Sequence, residues 1–146
     1  MTTRTAQCAC GRVRVTAENE PALVGACHCD FCQKRTGSVF AANAYFTEVQ
    51  CVEIKGETKV YKGLSAVGKA IDYHFCTTCG STVYWTVEQS PGITMIGIAV
   101  GNFVDQDFPA PAREYYVKLR HRWVLPIASA DQFETFPDQR DRHRSF

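Results

Sequence analysis

Neither sign of charge predominates in this chain: 16 Lys and Arg stand against 15 Asp and Glu, a formal charge of +1 over 146 residues. That balance leaves no electrostatic footprint for nucleic acid or an anionic membrane surface. Long hydrophobic runs are missing too. The longest stretch without a charge, Gln89–Val104, has 16 residues and is broken by Pro91, Gly92, Gly97, Gly101 and Asn102, short of the ~20 that a membrane span needs. Residues Met1–Arg12 hold no apolar core of an export signal, so a cytoplasmic location is expected. What remains is a globular composition, 45% hydrophobic and 21% charged, too apolar for disorder.

Helical periodicity is equally scarce. No apolar pattern of period 3.6 persists over three turns, which argues against an α/β layer fold. Alternation and β-branched or aromatic enrichment instead predict strands at Arg12–Thr16, Leu23–His28, Val39–Phe46, Val49–Ile54, Thr58–Lys62, Ala70–Phe75, Thr82–Val87 and Ile93–Val100. Turn signals separate them at Glu20-Pro21, Lys55-Gly56-Glu57, Lys62-Gly63, Cys79-Gly80 and Ser90-Pro91-Gly92. One short helix is expected at Phe31–Thr36, entered from Asp30 as N-cap and ended by Gly37, and a second at Ala130–Phe133. The expected architecture is mainly β, a single domain over 1–136, followed by a polar tail, 137–146, that frays. Trp85, Tyr84 and Trp123 are expected in the core.

Against this plain background stand eight cysteines. In a reducing compartment, clustered cysteines point to metal ligands or catalytic thiols rather than disulfides. Seven of them fall into three groups: Cys8-x-Cys10-Gly11, Cys27-His28-Cys29-x-x-Cys32 and Cys76-x-x-Cys79-Gly80, with Cys51 alone in a β-like run. A thiolate zinc site is tetrahedral, so a closed site needs sulfurs from two converging knuckles. A Gly after the second cysteine suits such a knuckle, because it tolerates the positive φ that closes the turn. Cys8, Cys10, Cys76 and Cys79 make one such set, although spacing alone leaves other pairings open. A redox role for Cys76-Thr77-Thr78-Cys79 would ask the motif to open a helix, whereas a strand-like run follows it. Cys27, Cys29 and Cys32 are then three thiols, one short of a closed shell, the pattern of a metal site with an open position. Cys51, His28 or His74 could close it. His28 should point away, lying between two ligands on extended chain, and a lone Cys51 more commonly behaves as a buried hydrophobe.

At these groups the chain resembles the glutathione-dependent formaldehyde-activating enzymes, the S-(hydroxymethyl)glutathione synthase family. The likeness is carried by Cys8-Ala9-Cys10-Gly11, by the stretch from Cys27-His28-Cys29-Asp30-Phe31-Cys32 to Gln33-Lys34-Arg35-Thr36-Gly37-Ser38, and by Phe75-Cys76-Thr77-Thr78-Cys79-Gly80-Ser81. A weaker likeness continues through Gly101-Asn102-Phe103, Pro109 and Trp123. The resemblance implies coiled β-hairpins pinned by a structural zinc on Cys8, Cys10, Cys76 and Cys79. It implies a catalytic zinc on Cys27, Cys29 and Cys32, hence two Zn²⁺ per chain. Its activity would be that of a carbon–sulfur lyase joining glutathione and formaldehyde, or a similar thiol and aldehyde, with no nucleic-acid or membrane partner. Family members often carry a histidine after the Pro-rich turn, where this chain reads Pro111-Ala112-Arg113-Glu114-Tyr115-Tyr116. If that stretch shapes the pocket, the substrate differs.

Glutathione is a net anion, so cations are expected near the site. Arg35 is the candidate substrate contact and Lys34 its neighbour, while Arg12, Arg14, Lys34 and Arg35 would otherwise only offset thiolate charge. The reading from another class is a zinc-stabilised binding module that carries glutathione, another thiol or a metal without turnover.

Overall fold

The computed structural model describes residues 1–137. Their contacts gather into two compact units, each built from two stretches: Met1–Ala22 with Ala44–Phe108, and Leu23–Asn43 with the chain from Pro109 onward. Of the polar tail only Pro137 is described; the expectation that residues 138–146 fray lies outside the described residues. In chain order the elements are β1 (Thr3–Gln7), β2 (Arg14–Glu18), β3 (Leu23–Cys27), α1 (Asp30–Thr36), β4 (Ala41–Thr47), β5 (Cys51–Lys55), β6 (Thr58–Leu64), β7 (Ala70–Cys76), β8 (Thr82–Ser90), β9 (Ile93–Ala99), β10 (Arg113–Tyr115) and β11 (Asp131–Phe133). The chain is mainly β, as its alternation predicts. No helix among the described residues is long and apolar enough to cross a membrane.

In the first unit β1, β2 and β5 form an antiparallel sheet in the order β1-β2-β5, and β6 to β9 follow one another as antiparallel hairpins. Alternation places Val15 and Ala17 of β2 inside while Arg14 faces solvent. On β8, Val83, Tyr84 and Trp85 are buried in succession, which requires cover on both faces of the strand. The Lys62-Gly63 turn is corrected: Gly63 stays in β6, opposite Ile71, and the reversal comes at Ser65–Lys69. A β-carbon at 63 would stand 2.9 Å from the Tyr61 ring, so this glycine makes room for an aromatic side chain rather than bending the chain.

In the second unit β10 pairs in parallel with β3 on one side and β11 on the other. The helix expected at Ala130–Phe133 is therefore a strand. Its backbone finds partners in β10, and Phe133 stacks on Tyr115 at 5.7 Å, a tertiary gain that outweighs local preference. Helix α1 forms where expected and ends on Gly37 in the left-handed region, but its N-cap is Cys29 rather than Asp30. The Cys29 sulfur takes the Cys32 N–H, the donor that an Asp30 cap would have had to satisfy from one residue further on. Trp85 and Tyr84 are buried as expected; Trp123 is 72% exposed. It stands in the irregular stretch between Leu119 and β11, not on a strand with a covered inner face.

Candidate metal centres

Two matching turns build the first cysteine group. After β1, Cys8 N–H bonds Val13 O and Gly11 N–H bonds Cys8 O; after β7, Cys76 N–H bonds Ser81 O and Gly80 N–H bonds Cys76 O. Gly11 and Gly80 both have φ of +75°, the conformation that closes each knuckle at no steric cost to glycine. The turns also touch one another, Ala9 N–H donating to Ser81 Oγ at 3.1 Å. The sulfurs of Cys8, Cys10, Cys76 and Cys79 lie within 4.8 Å of one another. Cys8 to Cys10 is 3.5 Å and Cys10 to Cys76 is 3.7 Å, close to the edge of about 3.8 Å that a tetrahedron with bonds of about 2.3 Å requires.

Peptide N–H groups point at this cluster, from Val13 to Cys8 at 3.2 Å and from Thr78 to Cys76 at 3.4 Å. Sulfur is the acceptor in both; at Cys8 burial opposes ionisation, but the Val13 N–H and the neighbouring Cys10 and Cys76 sulfurs outweigh it and lower the thiol. Hydrogen bonds from Ser81 bring Cys79 down to about 5. The Arg12 N–H lowers Cys10, but burial and the neighbouring sulfurs outweigh it and push that thiol up to about 11. Four sulfurs this close resist ionising together, and a divalent cation removes that cost. Arg14 donates to Gly11 O at 3.1 Å, so it braces the knuckle.

The second group belongs to the other unit. Cys27 ends β3, Cys29 caps α1 and Cys32 sits in the helix's first turn, with all three sulfurs within 4.8 Å of one another. Hydrogen bonds from Cys27 and Cys32 hold Cys29 down at about 2. Cys27 is pushed strongly upward by Cys29, Cys32 and burial. At Cys32 the bond with Cys27 lowers the thiol, but Cys29 and burial prevail and carry it to about 11. One negative sulfur is thus easily held here and three are not, unless a cation shares the site. Among the described residues no fourth metal-binding side chain joins the set.

The other candidates are placed elsewhere. Cys51 lies on β5 opposite Ala17, its thiol raised to about 11 by burial, and such a thiol is inert. His74 stacks on Tyr84 at 4.3 Å and meets Thr58 Oγ1 at 3.2 Å. His28 turns away from the sulfurs, as its place between two ligands predicts, and its Nε2 meets Glu114 Oε1 at 2.6 Å. Arg35 bonds Asn43 Oδ1 at 3.3 Å, and its charge favours the Cys32 thiolate. Lys34 pairs with Asp30 on the exposed face of α1.

The model of the family described as glutathione-dependent formaldehyde-activating enzyme matches residues 3–119. The chain belongs to that family. No curated protein matches it. Membership in the glutathione-dependent formaldehyde-activating family ties the chain to glutathione- and formaldehyde-related chemistry. Both cysteine groups could hold a metal ion, and both are consistent with zinc.

Two residues near the second group were not singled out by type or spacing. Tyr116 adopts φ 57° and ψ 42°, a left-handed conformation that is strained for a bulky side chain. Burial raises its phenol, and the charges of Cys29, Cys27 and Cys32 raise it further. Glu114 is fully buried and receives His28 Nε2, Arg120 Nε, the Ile127 N–H and Gln132 Nε2. The only sequence signal for either is their place in the Pro111–Tyr116 stretch.

Proposed function

We propose that the chain is a zinc-dependent carbon–sulfur lyase that joins glutathione and formaldehyde, or a related aldehyde, reversibly as an S-hydroxymethyl thioether. In this reading Cys8, Cys10, Cys76 and Cys79 hold a structural zinc, and Cys27, Cys29 and Cys32 hold a second, reactive one. The observation that carries it is the count of converging sulfurs, four in one unit and three in the other. Four thiolates close a tetrahedral shell; three leave a position for substrate. A cytoplasmic setting accompanies the proposal, since all eight cysteines are free thiols and are of use only where they stay reduced.

When bound, zinc would stabilise a substrate thiolate at neutral pH. The addition itself is balanced without a redox partner. A carbon–sulfur bond forms, the carbonyl π pair moves onto oxygen, and the proton released by the thiol ends on that oxygen. The chain supplies position and charge for this step. Arg35, beside Cys32, supplies positive charge toward an anionic tripeptide. Tyr116 Oη carries its proton at neutral pH as phenols ordinarily do, and burial and the charges of Cys29, Cys27 and Cys32 raise it further. It can therefore donate to the oxygen as negative charge develops there. The strained backbone at Tyr116 is consistent with a side chain held for use.

Magnetisation-exchange NMR on a mixture of glutathione, formaldehyde and the zinc-loaded protein tests the proposal. Exchange between free and hydroxymethylated glutathione is expected to exceed the protein-free rate. An unchanged rate with two zinc ions in place would leave the binding-module reading in its stead.

A further inference from the structure

The two cysteines of β3 and the α1 cap flank His28, and that residue is held through its backbone and its Nε2, while its buried Nδ1 has no hydrogen-bond partner among the described residues. Its N–H bonds Tyr115 O at 3.0 Å, its carbonyl takes Gln33 Nε2 at 2.8 Å, and its ring is fully buried against Glu114 with Nε2 to Oε1 at 2.6 Å. On extended chain, successive side chains point to opposite sides. Anchoring the His28 ring to one side therefore sends the sulfurs of Cys27 and Cys29 to the other. Glu114 in turn has no freedom. Its Oε1 also accepts Arg120 Nε at 3.1 Å, and its Oε2 accepts the Ile127 N–H at 3.1 Å and Gln132 Nε2 at 2.6 Å. Arg120 reaches Gln132 as well, so the donors around the carboxylate brace one another.

We propose that Glu114 is the positioning residue of the three-thiol site, setting through His28 the direction of the Cys27 and Cys29 sulfurs and hence the hold on the ion. This rests on the reading of Cys27, Cys29 and Cys32 as metal ligands. It assigns a task to one residue of the Pro111–Tyr116 stretch. A buried carboxylate with several donors is a rigid anchor, and groups behind the ligands commonly govern metal affinity by 10- to 100-fold. Gln33 is a second brace from the helix side, its Oε1 meeting His121 Nε2 at 2.9 Å.

The test uses the zinc-loaded full chain and a chromophoric chelator that reports release of each ion. Two release phases are expected from the unaltered protein, the faster from the three-thiol site. Glu114→Gln should accelerate the fast phase at least tenfold and leave the slow phase, from the four-cysteine group, unchanged. His28→Ala should do the same, and His28→Gln, which keeps an N–H toward Glu114, should restore most of the hold. The sulfur-to-cobalt charge-transfer bands of the cobalt(II)-loaded three-thiol site should shift in Glu114→Gln and return toward normal in His28→Gln. Val24→Ala removes buried bulk from β3 of the same unit and alters no group that bonds Glu114 or His28, so it should change neither release nor bands.

Unaltered fast release in Glu114→Gln, or equal acceleration in Val24→Ala, would overturn the proposal. If Glu114→Gln does not fold, the His28 pair decides alone: equal release from His28→Ala and His28→Gln overturns it. A single releasable ion in the unaltered protein would instead remove the metal-site reading itself.

Discussion

Trp85 and Gly97 face each other across β8 and β9, and the indole fills the space that a side chain at 97 would need. A β-carbon there would stand 2.1 Å from the indole Nε1 and 2.2 Å from Cε2. Since Trp85 is fully enclosed, it has nowhere to move. Gly97→Ala is expected to destabilise by about 3 kcal/mol, the upper part of the usual range for overpacking. Urea titration should show a lower midpoint with an unchanged slope.

The two cysteine groups should respond differently to loss of a ligand. Cys76→Ser removes a sulfur from a site that ties residues 8–10 to 76–79, where metal binding and folding are linked. We expect loss of zinc together with loss of cooperative unfolding. Cys29→Ser should release the second ion while the far-ultraviolet circular dichroism and the thermal transition persist. Zinc analysis of each variant after gel filtration distinguishes the cases.

Glu114 has a calculable effect on acid stability. Burial opposes its ionisation, but Gln132, Arg120, Ile127 and His28 more than offset that and hold the carboxyl at about 2. A depressed folded-state value gives stabilisation that is complete above the unfolded value, near ~4.3, and is lost as pH falls toward about 2. The difference corresponds to about 3 kcal/mol at neutral pH. Glu114→Gln should therefore differ most from the unaltered protein above pH ~5 and converge with it as the pH is lowered. Denaturant midpoints across that range provide the check.

Tyr116→Phe removes the proposed donor and little else. Turnover in the exchange experiment is expected to fall by roughly 100- to 1,000-fold, the scale of a lost hydrogen bond to a developing oxyanion. Zinc content should stay at the unaltered level. A matched loss of zinc would assign the residue to the metal site rather than to the reaction.

Much of this molecule is legible in the order of its residues. Alternation along Arg14–Glu18 and Ala70–Cys76, and β-branched enrichment along Thr82–Val87, locate strands because one covered face imposes a period of two. Gly37 ends α1, and Gly11 and Gly80 close the knuckles, because a positive φ suits glycine above other residues. The cysteine spacings point to groups that could hold a metal ion, since only local chain geometry is needed to bring neighbouring sulfurs together.

Other features had no local signal. Strands β1, β10 and β11 carry little alternation and exist because a partner accepts their hydrogen bonds. Gly63 sits inside a strand because the Tyr61 ring claims its space, a fact that the Lys62-Gly63 pair does not disclose. Cys51 and His74 stay apart from both sulfur groups only through strand register. Glu114 reads as a surface acid until donors from positions 28, 120, 127 and 132 converge on it. By itself, then, the sequence determined the strand-rich character, the knuckles and the thiol chemistry, because these depend on neighbours within a few residues. Only the tertiary structure brings Cys8 and Cys10 to Cys76 and Cys79, gathers three sulfurs and no fourth ligand beside α1 among the described residues, and converges four donors on the buried Glu114. Those outcomes depend on groups far apart in the chain, and their energies exist only once folding has brought them together.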